Sequence, residues 1–69
     1  VKSGEHLHPA TPVKEIADLH NNMGILYCYK QQWREAKEKF ETALTVLPGY
    51  EAVRQNLANV NRKIDEKRL

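Results

Sequence analysis

In the middle of the chain the apolar residues Trp33, Ala36, Phe40, Ala43, Leu44 and Leu47 recur at steps of three and four, and Pro48-Gly49 follows at once. That spacing gathers them on one face of an α-helix and the Pro-Gly pair ends it, so the segment predicts an amphipathic helix over about 33–47. Arg34 with Glu38, Glu35 with Lys39 and Lys37 with Glu41 stand four apart on the remaining surface. Such pairs contribute roughly 0.2–0.5 kcal/mol each and solvate the outer face.

A helix with one apolar face needs partners, and the flanking segments supply them. Thr11 followed by Pro12 is a start signal, because a Thr hydroxyl accepts from an orphan amide while Pro in the first helical position forgoes no hydrogen bond. The first helix then runs over about 12–31, where Gln31-Gln32 interrupts the pattern. Downstream, Val53, Leu57, Val60 and Ile64 form a narrow stripe on a third helix over about 50–68, narrow enough to pack on one side only. Residues 1–11 carry neither period and read as a loose lead-in. Connections of two or three residues make neighbouring helices antiparallel. The expectation is an all-α fold, one unit over 12–69 built of three stacked helices.

Size and charge exclude several functions. A chain of 69 residues buries only about 60% of its unfolded surface, and the lone Cys28 offers no internal disulfide framework, so packed helices or partners must stabilise it. The longest apolar run, over 24–29, is far short of the roughly 20 residues that cross a bilayer. The net charge of +2 comes from Arg62, Lys63, Lys67 and Arg68 at one end, and acidic residues are interleaved elsewhere, too little for a nucleic-acid footprint. Three short helices enclose no pocket for a catalytic triad or carboxylate pair, so an enzyme is not expected. His6 and His8 stand two apart without a third ligand at compatible spacing, and no metal or cofactor is expected. His20 reads as a half-buried packing residue, and Cys28, without a neighbouring cation at helical spacing, as an inert one.

Internal periodicity is present. A shift of 34 residues places Leu19 on Val53, Asn22 on Asn56, Met23 on Leu57 and Gly24 on Ala58. The spacing His20-x-x-Met23-Gly24-x-x-Tyr27, then Ala36-x-x-x-Phe40-x-x-Ala43 and Pro48, resembles the tetratricopeptide repeat over 17–50, and 51–69 resembles the first helix of a second repeat. Met23 replaces the family's Leu conservatively and His20 replaces its aromatic residue. Gly24 costs about 1 kcal/mol relative to Ala in a helix, and close approach of the second helix at Ala36 and Ala43 would account for it. Gln31 stands where the family carries Gly, which implies a strained or reshaped turn. Asn61 and Arg54 replace aromatic residues, making the third helix polar, as the terminal helix of an array is.

The resemblance implies a right-handed superhelical fragment and assigns faces. His20, Met23, Gly24 and Tyr27 meet the second helix. Asp18, Asn22, Ile25 and Tyr29, with Asn56, Asn59 and Lys63 of the third helix, form the concave surface on which the family holds a peptide or a partner's helix. Asn amides both donate to and accept from a backbone, and Tyr29 is a large anchor. Ala52 and Asn56 fall at the cationic positions of the family's clamp for terminal carboxylates, so that clamp is not expected. Ile16, Leu19 and Leu26 form the remaining face, toward a preceding repeat or a second copy of the chain. The expected function is a noncatalytic protein–protein interaction scaffold, and the alternative is structural self-assembly through the Leu19/Leu26 face. The family's usual setting implies a cytoplasmic location.

Overall fold

The computed structural model describes residues 12–68 and, of Arg68, the backbone alone; the lead-in, with His6, His8 and Thr11, lies outside the described residues. Three helices follow one another, α1 (Val13–Tyr29), α2 (Trp33–Val46) and α3 (Glu51–Arg68), and the described residues include no strand. The fold is all-α, with α2 packed against both α1 and α3.

The helix ends differ slightly from expectation, each for a local reason. Pro12 is not the first helical residue but the N-cap of α1, and its carbonyl accepts from the amides of Glu15 at 3.0 Å and Ile16 at 3.3 Å. At the other end α1 stops at Tyr29. Gln31 adopts φ 59, in the left-handed region, and the Gln31 and Gln32 amides turn back to the carbonyls of Cys28 and Tyr27, both at 2.9 Å. This is the Schellman arrangement, closed here by a residue with a side chain where glycine is usual. Helix α2 ends at Val46, because Pro48 pushes Leu47 out of the helical region to φ −139, ψ 84. The Tyr50 amide then bonds the Leu47 carbonyl, and the Tyr50 carbonyl receives the amides of Val53 and Arg54, starting α3.

Each apolar stripe becomes core. Ala36, Phe40 and Ala43 of α2 are buried, with Ala17 of α1 and Val53 and Val60 of α3. Trp33, Leu44, Leu47, Leu57 and Ile64 pack around them, partly exposed. Enclosing Phe40 contributes roughly 1.5–3 kcal/mol. Gly24 is buried as expected, but the group that requires it is neither Ala36 nor Ala43. A Cβ built on Gly24 would stand 2.5–2.8 Å from the Phe40 ring. On α1, His20, Met23 and Tyr27 are half-buried, and the side chain enclosed completely is Ala17. The His20 Nδ1–H donates to the Ile16 carbonyl at 3.0 Å.

The surface charges settle differently from the pattern expected on α2. Among the described residues Arg34–Glu38, Glu35–Lys39 and Lys37–Glu41 form no ion pair within 4 Å; Lys14 pairs with Asp18 at 3.2 Å and Arg54 with Glu51 at 3.8 Å. Thr42 and Thr45 instead donate to the carbonyls of Glu38 and Glu41.

Of the residues related by the 34-residue shift, Met23 and Leu57 are both half-buried, but other pairs do not share an environment. Leu19 is 57% exposed whereas Val53 is fully buried, and Gly24 is buried whereas Ala58 is exposed. The asymmetry follows from α2, which covers one side of each outer helix.

Candidate interaction surface

Helices α1 and α3 flank α2 and leave a groove of about 280 Å³ between them. From α1 it is lined by Ile25, Cys28 and Tyr29, and α3 contributes Asn56, Asn59, Val60 and Lys63. Trp33 and Phe40 of α2 complete the lining. The lining is mostly apolar, with amides and one ammonium on the α3 side. Tyr29, 80% exposed, stands at its edge.

Five of the seven residues expected on the concave face therefore meet here: Ile25, Tyr29, Asn56, Asn59 and Lys63. Asp18 and Asn22 do not line the groove. Asn22 is exposed, and Asp18 is engaged near the start of α3, where it accepts a hydrogen bond from the Tyr50 hydroxyl and another from Lys14 Nζ. Lys14 Nζ also lies 5.2 Å from the centre of the Tyr50 ring. The Tyr50 hydroxyl, with Lys14 adding its charge, holds the Asp18 carboxyl below its ordinary range, while Asp18 raises the Lys14 ammonium. This cluster fastens α1 to the turn that precedes α3.

A second link sets the groove wall. The Asn56 amide donates to Asn21 Oδ1 at 2.9 Å, so its carbonyl oxygen remains available as an acceptor. Asn59 has the opposite polarity: its Oδ1 accepts from Arg62 Nη2 at 2.7 Å, leaving its amide as a donor. Lys63 Nζ lies 5.9 Å from the centre of the Trp33 ring, at cation–π range. The indole N–H of Trp33 is buried and has no acceptor among the described residues.

Cys28, Trp33, Phe40 and Val60 also line the groove, although their helical spacing or apolar character had assigned them to packing. They do both, since a core side chain beside a gap between helices is also its floor. Burial raises the Cys28 thiol above its ordinary value, which disfavours thiolate and matches an inert role. On the other outer face of α1, Leu19 and Leu26 are 57% and 61% exposed and Ile16 is half-exposed. Met23, Leu26, Tyr27 and Lys30 border a smaller hollow of about 220 Å³ beside it.

Among the described residues no three His, Cys, Asp or Glu side chains gather as metal ligands, and no helix is long and apolar enough to cross a membrane. Comparison with protein-family models, with curated proteins and with solved structures finds no match.

Proposed function

We propose that this protein is a noncatalytic interaction module, a tetratricopeptide-like unit that holds a peptide or helix of a partner protein between α1 and α3. The observation that carries this reading is the groove of about 280 Å³, where apolar side chains of all three helices meet beside the amides of Asn56 and Asn59. An apolar lining with a few oriented polar groups is what a recognition cleft needs to take a side chain and fix a backbone. Tyr29 at its edge is of the residue class that dominates binding energy at interfaces. The superhelical stacking of that family and a cytoplasmic setting belong to the same reading.

The test is selection from a displayed random-peptide library on the folded protein, followed by titration of the enriched peptides. Tyr29→Ala should weaken them by at least about tenfold, the loss of one anchor of 1.4 kcal/mol or more. Affinities indifferent to Tyr29→Ala and to Asn59→Ala would overturn the reading.

A second reading is favoured by a different observation, the exposure of Leu19 and Leu26. Under it the chain is an assembly element, joined through that face to further copies or repeats.

A further inference from the structure

The groove is unbalanced in charge and in hydrogen-bonding capacity. Lys63 is, among the described residues, the one ionic side chain in its lining, and no carboxylate lines it. Among the described residues Lys63 has no carboxylate within 4 Å, and its ammonium rests near the Trp33 ring instead. The Asn59 side chain, turned by its bond from Arg62, has its amide left to donate. Trp33 adds an indole N–H that is buried without an acceptor. The Lys63 ammonium, the Asn59 amide and the Trp33 indole N–H therefore outnumber the free side-chain acceptor of the α3 wall, the Asn56 carbonyl oxygen.

The excess continues past Trp33. A second crevice of about 360 Å³ shares Trp33 with the groove and, among the described residues, is bordered by Arg34, Ile64 and Lys67 against the one carboxylate of Glu35. Lys63 and Lys67 stand one helical turn apart on α3, so they present successive positive charges along one edge. Complementary charge at a binding surface selects partners and raises their association rate, while apolar burial supplies most of the affinity.

We infer that the groove's occupant is an acidic peptide segment, with a bulky apolar side chain seated on the Ile25, Phe40 and Val60 floor and flanking carboxylates along Lys63 and Lys67. This deepens the proposed function and rests on it. A segment with basic flanks would meet the ammonium of Lys63 with like charge, and a neutral one would leave it unpaired.

Trp33 is the single tryptophan of the chain, so its fluorescence reports the groove directly. The probes are short acetylated and amidated peptides with a central Leu-Phe pair flanked on both sides by Glu, by Gln or by Lys, titrated into the full chain. The Glu peptide should shift Trp33 emission and bind about tenfold tighter than the Gln peptide, with the Lys peptide weakest, and the difference should shrink as salt is raised. Lys63→Glu, at an exposed position that leaves the helical circular dichroism unchanged, should invert the order of the Glu and Lys peptides. Equal binding of the Glu and Gln peptides would overturn the charge preference while leaving a peptide groove in place. Failure of all three to alter Trp33 emission would overturn the inference as well, and the library selection then decides the broader reading independently.

Discussion

Gly24 and Gln31 each depart from what their position ordinarily favours, and the reasons differ. Gly24 lies inside α1, where alanine would be more helix-favourable by about 1 kcal/mol, yet a Cβ there would intrude on the Phe40 ring at 2.5–2.8 Å. Overpacking of that kind costs roughly 1–3 kcal/mol, so Gly24→Ala should lower stability by about 1 kcal/mol net in chemical denaturation. Combining it with Phe40→Leu should remove most of the added cost, and strictly additive effects of the two changes would refute the contact. At Gln31 the sign is reversed. A side chain in the left-handed region costs roughly 1–2 kcal/mol, part of which glycine would give back as entropy of the unfolded chain. Gln31→Gly should therefore stabilise by about 0.5–1 kcal/mol and raise Tm by several degrees; an unchanged or lower Tm would show that the turn bears no strain. The helical position of Gly24 indicated that it needed a close neighbour, and the resemblance to the repeat marked Gln31 as unusual in its turn. It could not identify Phe40 as that neighbour, because the rotation of α2 about its own axis is not a local property.

Between elements, α3 is joined to the rest by two kinds of contact. Its narrow stripe packs Val53 and Val60 into the core, while Tyr50 and Asn56 reach Asp18 and Asn21 on α1 through hydrogen bonds. The Tyr50–Asp18–Lys14 cluster makes that link depend on pH at both extremes. Asp18 has a folded-state pKa below its unfolded value of about 3.9, so its contribution is complete above that value and is lost as pH falls through the folded one. Lys14 has a folded-state pKa above its unfolded value of about 10.4, so its contribution is complete below that value and is lost as pH rises through the folded one. Thermal melts should thus show this contribution intact across the neutral range and declining below about pH 4. Tyr50→Phe, which removes the principal cause of the Asp18 shift, should lower Tm at neutral pH and flatten the acid decline. An acid limb identical in the two proteins would exclude the cluster as its source. Lys14 and Asp18 stand four apart in the chain, but their link to Tyr50 was not legible there, and Asp18 was assigned to the concave face with Asn22, Ile25 and Tyr29. Helical spacing orders residues around one axis, but it does not say which of them a turn residue such as Tyr50 will reach.

Among the described residues, one side of α1 is left exposed. Leu19 and Leu26 stand more than half exposed on it, and burying each would contribute roughly 1.5–3 kcal/mol. The fully buried Val53, in the position equivalent to Leu19 by the 34-residue shift, shows the environment that such a residue has once a helix lies against it. Sedimentation equilibrium should accordingly give an average mass that rises with concentration above the 8.0 kDa of one chain, and Leu26→Glu should restore the monomer without loss of helicity. A single-chain mass at all concentrations would rule out self-association through this face.

The three helices, their order and their approximate ends were readable from the chain because the signals are local: apolar residues at three- and four-residue steps, a Pro-Gly stop, and a break at Gln31-Gln32. Three-helix all-α architecture followed from those signals and from the shortness of the links. How the helices are rotated and set against one another was decided by packing, which is a sum over all three helices at once. That sum put the Phe40 ring on Gly24, drew Asp18 to Tyr50 and Asn56 to Asn21, and left Ile25, Tyr29, Asn59 and Lys63 around a groove floored by core side chains. A pattern along one strand of sequence determines which residues share a face; only the close approach of other faces determines which of those residues are consumed by the fold and which remain to meet a partner.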